Sequence, residues 1–124
     1  IADMTNVYQG GIIAPGINLA LKSLNKFTAK LPLISLSNQK NVIGKDTRSA
    51  INSGVFIGYT CLINGILEKI RRQTKKKYLV ILTGGYSKIF KNKINFKTVI
   101  NKNITLYGLG VIVNHNKKFF NEAR

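Results

Sequence analysis

The chain has 124 residues and a mass of 13.8 kDa, enough to close one hydrophobic core, and its 44% hydrophobic content excludes an intrinsically disordered protein. Twenty lysines and arginines against four acidic residues give a net charge of +16 and a pI near 10.3. Because the basic residues are scattered and no aromatic stacking pattern accompanies them, this charge predicts only non-specific, salt-sensitive binding to nucleic acid.

The first third of the chain predicts two short strands around one helix. Gly10–Gly16 is an apolar run closed by a Pro-Gly break, which is typical of a strand and turn. The three- and four-residue spacing of apolar residues over Ile17–Leu31 indicates an amphipathic helix, which Pro32 would end. Leu33–Leu36 then predicts another short strand.

A long helix is predicted from about Arg48 to about Arg72, with Asp46 or Thr47 as its N-cap. Its most hydrophobic stretch, Val55–Leu67, contains glycine and polar residues, so we interpret it as a buried helix and not as a bilayer crossing. Each helical glycine costs about 1 kcal/mol relative to alanine. These glycines therefore predict close approach of another backbone, within the chain or from a second subunit.

Cysteine and metal chemistry are predicted to be absent. Cys61 is the single cysteine and lies inside the apolar helix, which predicts a buried, unreactive side chain and a reducing cytoplasm. His115 lacks neighbours at metal-ligand spacing, and the four carboxylates are dispersed, so no metal site and no acid/base pair are predicted. The chain shows no secretory signal, and since it opens with Ile1, we expect it not to be the start of a complete protein.

The second half alternates strands and helical segments and thereby predicts an α/β architecture. Tyr78–Leu82 is a continuous apolar run, typical of a strand buried on both faces, and Tyr86–Lys91 fits a helical turn. A short helix is expected over Leu109–Asn114. Between strand and turn stand Gly84 and Gly85, which would let backbone amides approach a phosphate or a nucleoside. Spacing alone favours a plain tight turn there.

Five segments, taken in order and spacing, resemble the type III pantothenate kinases. They cover nearly the whole chain: Gly10–Ile17; Leu24 with Ala29–Pro32; Val42–Thr47 followed by Ala50, Ser53-Gly54 and Gly58-Tyr59; Val80–Gly85; and Leu106–Leu109. Each motif is short and weak by itself, whereas the five together are specific.

The resemblance implies an actin-like ATPase fold, with residues 1–124 as a ribonuclease-H-like C-terminal domain that is incomplete at its N-terminal strand and lacks the N-terminal domain. It also implies transfer of the ATP γ-phosphate to pantothenate, the first step of coenzyme A biosynthesis. Such enzymes are homodimers that use potassium or ammonium, and magnesium with ATP. Thr47 matches the threonine that contacts pantothenate, and Gly84 and Gly85 match the glycines on the adenosine side of the cleft.

The departures from the family pattern concern the catalytic groups. The phosphate motif and the Gly-x-Asp-Arg segment with the catalytic base are absent, so no catalytic residue is assigned in this chain. Asp3 falls after the expected cation-binding carboxylate and is not assigned to the cation. We therefore expect the chain alone to be inactive as a kinase. Two alternatives stay open: a non-catalytic binding or regulatory module for an anionic partner such as nucleic acid, and a decaying remnant without function.

Overall fold

A computed structural model describes residues 1–2 and 7–116, and the chain divides between Ile57 and Gly58 into two compact units. Its elements, in chain order, are α1 (Ile17–Lys26), α2 (Thr47–Thr74), β1 (Val80–Leu82), α3 (Ser87–Phe90), a 3₁₀ turn (Lys91–Lys93), β2 (Thr98–Ile100) and α4 (Ile104–His115). The α/β class predicted from the sequence is confirmed.

Helix α1 begins where the sequence predicts but ends five residues early. Its last helical hydrogen bond is donated by the Phe27 backbone N–H to the Ser23 carbonyl at 2.9 Å. Beyond it, Thr28 donates its hydroxyl to the Leu24 carbonyl, and Asn25 donates its side-chain amide to the Leu31 carbonyl at 2.7 Å. Side chains thus donate hydrogen bonds to backbone carbonyls here, where a continuing helix would use backbone N–H groups.

The two strands predicted in the first unit are wrong. Neither Gly10–Gly16 nor Leu33–Leu36 forms a strand among the described residues, and Ile13 is fully exposed. A strand requires a neighbour to take its backbone hydrogen bonds. In the part of this unit that the structure describes, the pairing is limited to an isolated antiparallel bridge between Ala2 and Tyr8.

Helix α2 runs over 28 residues, and its predicted position is confirmed to within two residues at either end. Its first turns supply the core of the first unit: Ile51, Val55 and Phe56 are buried, as is Leu21 of α1. An added Cβ at its three glycines would meet no atom within 4 Å. The close backbone approach predicted at these glycines is therefore not made by the part of the chain that the structure describes.

The later turns of α2 are more exposed than the sequence predicts. Only 22% of its most apolar window is buried, and Cys61, predicted to be buried, is exposed. The reason is that α2 carries apolar residues on all of its faces, whereas the core covers only some of those faces. By length and composition alone α2 could cross a membrane, although we interpret its most hydrophobic stretch from the sequence as a buried helix. One such helix is a weak indication, because core helices of soluble proteins meet the same criterion.

The second unit contains a two-stranded parallel sheet in which Val80, Ile81 and Leu82 pair with Thr98, Val99 and Ile100. Parallel strands need a crossover connection, and α3 with the 3₁₀ turn provides it. The predicted strand is thus confirmed, but burial on both of its faces is wrong. Ile81 is 44% exposed and Val99 39%, since the described chain covers only the face that carries their neighbours.

A side-chain clamp connects α2 to the start of β2. Asn64 donates its amide to the Lys93 carbonyl at 2.9 Å and accepts the Asn95 backbone N–H at 2.8 Å. Phe90 and Ile94 are buried beside this clamp in sequence and form the core of the second unit. The amide therefore satisfies both backbone groups of an irregular segment and fixes the approach to β2.

Candidate functional site

Two segments carry the predicted ligand contacts, and the first is the start of α2. The Asp46 carboxylate accepts the Ser49 backbone N–H at 2.9 Å and the Ser49 hydroxyl at 2.7 Å. In return, the Asp46 backbone N–H donates to the Ser49 hydroxyl oxygen at 3.1 Å. This reciprocal pair is a capping box, which identifies Asp46 as the N-cap of the two predicted candidates. Thr47 is consequently the first helical residue, and it is exposed.

The loop before this helix start is held by buried polar side chains. Asn52 donates to the Ser37 carbonyl at 3.1 Å and accepts the Ser37 backbone N–H at 2.9 Å. The Ser53 hydroxyl donates to the Val42 carbonyl. Gly44 then lies so close to α2 that a Cβ there would be 2.2 Å from the Ala50 backbone nitrogen. Glycine is the residue that permits this approach, and it fixes the path of the chain into Thr47.

The capping box makes a pH prediction. The hydrogen bonds from the Ser49 backbone and side chain hold the pKa of Asp46 below its ordinary value of 3.8. A carboxyl group with a lowered pKa in the folded state adds stability above its unfolded pKa and loses it as the pH falls through the folded pKa. We therefore expect the melting temperature to decrease as the pH is lowered below 3.8. In Asp46→Asn this decrease should be smaller.

Asparagine is an equally good N-cap, so the substitution removes the titration while keeping the cap. The measurement is the thermal midpoint of both proteins from about pH 6 to about pH 2.5, the range in which native carboxylates protonate. Parallel curves for the two proteins would show that Asp46 contributes nothing to the acid transition. Glu68, whose pKa is lowered by hydrogen bonds from Arg72 and Arg71, contributes equally to both curves.

The second segment is the glycine turn that follows β1. Gly84 has a φ of +84°, in the left-handed region that glycine adopts without strain. Gly85 does not have a positive φ. The Ser87 backbone N–H donates to the Gly84 carbonyl at 3.2 Å and begins α3. An added Cβ at either glycine would meet no atom within 4 Å, so the turn is open to a ligand.

A pocket of about 280 Å³ lies at this turn, lined by Gly84, Gly85, Lys88 and Lys102. Gly84 and Gly85, the predicted pair of consecutive glycines, both line this pocket. The two lysines were missed. A signal for Lys102 exists in the topology, because parallel strands end at the same edge of a sheet and both β1 and β2 run toward this turn.

The other candidate residues are not among those that line this pocket. Thr47 belongs to the first compact unit and the glycine pair to the second. Asp3 is outside the described residues. His115 is exposed as the last residue of α4. Among residues 1–2 and 7–116, no group of three or more histidines, cysteines and carboxylates could hold a metal ion.

Comparison with known proteins gives consistent matches. The family model described as type III pantothenate kinase matches residues 2–69. The type III pantothenate kinase of Pelagibacter ubique (strain HTCC1062) is 44% identical over 104 residues, covering 84% of this chain and 42% of that protein. The one from Paracoccus denitrificans (strain Pd 1222) is 36% identical over 121 residues, covering 98% and 47%. The one from Sulfurihydrogenibium sp. (strain YO3AOP1) is 35% identical over 109 residues, covering 88% and 43%. The chain thus spans less than half the length of the curated relatives it matches.

Proposed function

The chain belongs to the type III pantothenate kinase family, and from this premise we propose that it forms the part of such a kinase that holds the nucleoside end of ATP and contacts pantothenate. The family implies an actin-like ATPase fold, and we propose that residues 1–124 correspond to its ribonuclease-H-like C-terminal domain. The proposed reaction is transfer of the ATP γ-phosphate to pantothenate, in the cytoplasm.

The observation that carries the proposal is the open glycine turn after β1. Gly84 takes a left-handed conformation, and Gly85 has free space where a side chain would stand, both within one pocket. A turn of this kind at the carboxyl end of a parallel strand is where α/β proteins bind nucleotides. Without Cβ atoms the backbone can lie directly against a nucleoside.

Thr47 is the proposed pantothenate contact. It is exposed at the start of α2. Its backbone is fixed by the Asp46–Ser49 capping box and by the close packing of Gly44 against Ala50 of α2. Its hydroxyl can donate and accept a hydrogen bond, as pantothenate with its hydroxyl, amide and carboxylate groups requires. We propose that it reaches the substrate in a homodimer, with α2 in or near the subunit contact.

Catalysis needs groups that the described residues do not offer. The described carboxylates are engaged: Asp46 with Ser49, and Glu68 with Arg71 and Arg72 at 2.9 and 3.0 Å. They do not fit a site for potassium, ammonium or magnesium. Phosphoryl transfer depends on positioning and on charge stabilisation of the transferred group. We propose that residues outside this chain supply the base, the phosphate loop and the cation site, and that the chain alone does not turn over.

Paired glycine substitutions test the nucleotide contact. We expect Gly85→Ala to weaken ATP binding at least about tenfold, because a methyl group would stand where the nucleoside lies, at unchanged thermal stability. Gly84→Ala, with its positive φ, should instead lower the free energy of unfolding by about 1–2 kcal/mol. Calorimetric titration and thermal melts measure the two effects. Normal ATP affinity in a folded Gly85→Ala protein would contradict the proposal.

A further inference from the structure

The pocket at the glycine turn is strongly cationic. Two of its four lining residues are lysines, Lys88 and Lys102, and no carboxylate lines it. In the part of the chain that the structure describes, the side-chain ion pairs are those of Glu68 with Arg71 and Arg72, so neither pocket lysine is paired. Two unpaired lysines in the lining of one concavity give it a positive potential, which favours an anionic ligand.

The fold brings these lysines together from two separate segments. Lys88 lies on α3, whose first backbone bond is donated by Ser87 to the Gly84 carbonyl. Lys102 follows β2, and the Asn101 backbone N–H donates to the Leu82 carbonyl at 3.0 Å, which fixes this segment beside the end of β1. Each lysine therefore follows a residue whose backbone N–H is bonded either to the turn or to the last residue of β1 before it.

Resting on the proposed function, we propose that Lys88 and Lys102 form an anion site that binds a phosphate group of the nucleotide and so selects a phosphorylated nucleotide over a nucleoside. Charged donors form the stronger hydrogen bonds to phosphate oxygens, and lysine binds phosphate as a compact point charge. A volume of about 280 Å³ lies just below the usual range of ligand pockets and suits part of a nucleotide better than a whole one.

Three ligands separate the contributions: ATP, adenosine and pyrophosphate. Each is titrated calorimetrically into the chain, into Lys88→Gln/Lys102→Gln, and into the control Lys22→Gln, which removes an exposed lysine from α1. Salt is kept at about 0.15 M so that diffuse attraction to this basic chain is screened. We expect the double variant to weaken ATP and pyrophosphate at least about tenfold while the control stays within about twofold. Adenosine affinity should be the same in all three proteins.

Each outcome decides the inference. Equal losses of ATP affinity in the double variant and the control would overturn it, as would an equal loss for adenosine, which would indicate a structural role. Failure of both ATP and pyrophosphate to bind the unmodified chain would overturn it as well. Lysine-dependent pyrophosphate binding without adenosine binding would keep the anion site but remove the nucleotide assignment. ATP binding that is unchanged in the lysine double variant but weakened by Gly85→Ala would overturn the anion site and keep the nucleotide assignment.

Discussion

Gly44→Ala is expected to lower the free energy of unfolding by about 3 kcal/mol or more, the upper range for overpacking a close contact. The new methyl group would stand 2.2 Å from the Ala50 backbone nitrogen and 2.5 Å from its Cα. These are backbone atoms of α2, which cannot move aside as the end of a flexible side chain can. The loop would have to leave the helix, and the hydrogen bonds that Asn52 and Ser53 make to it would be strained or lost.

Gly54→Ala is the matched control for this effect. Gly54 lies in α2, in the same compact unit, where an added Cβ meets nothing within 4 Å. Alanine there should raise stability by about 1 kcal/mol, since glycine is unfavourable inside a helix. Urea denaturation of both variants measures the difference. Similar shifts of the midpoint for Gly44→Ala and Gly54→Ala would refute the close packing of the loop against α2.

Phe56→Ala is expected to cost about 3–5 kcal/mol, the usual range for emptying a buried phenylalanine site. Phe56 is 2% exposed and lies beside Val55 in the part of α2 that supplies the core of the first unit. Losing the ring removes transfer energy and leaves a cavity that neighbouring side chains fill only in part. In a chain this small the loss approaches the whole stability, so the first unit should melt near ambient temperature.

The same substitution at an exposed site separates burial from residue type. Phe27 is 77% exposed at the end of α1, with the Lys26 ammonium 5.6 Å from its ring. Phe27→Ala should therefore change the free energy of unfolding by no more than about 1 kcal/mol, the value of an exposed cation–π contact. Thermal melts followed by circular dichroism compare the two variants. Equal destabilisation at both positions would mean that α2 does not supply the core of the first unit.

Local chemistry explains what the sequence could predict. The long helix was predicted because its cap and its apolar length are properties of neighbouring residues, and Asp46 with Ser49 satisfies the capping pattern within four positions. The glycine turn was predicted for the same reason, since Gly84 follows an apolar run directly. Resemblance then supplied the proposed roles of Thr47, Gly84 and Gly85, which composition and spacing had left open.

Features that depend on distant partners were predicted less well. The two strands expected in the first unit fail because a short apolar run says nothing about whether a pairing neighbour exists. Cys61 was expected to be buried because it lies in an apolar helix, but it is exposed. Hydropathy does not reveal which side of such a helix the core covers. Lys88 and Lys102 are brought into one pocket by the parallel pairing of β1 with β2, which only the fold displays.

The central claim is that the glycine turn binds the nucleotide and the start of α2 contacts pantothenate. An amide-resolved NMR titration of the isotopically labelled chain tests both contacts at once. At about 0.15 M salt, where diffuse charge effects are screened, ATP should shift the signals of Gly84, Gly85 and Lys102, and pantothenate that of Thr47. Shifts spread over the lysines of α1, or glycine and threonine signals that stay in place at saturating ligand, would contradict the claim.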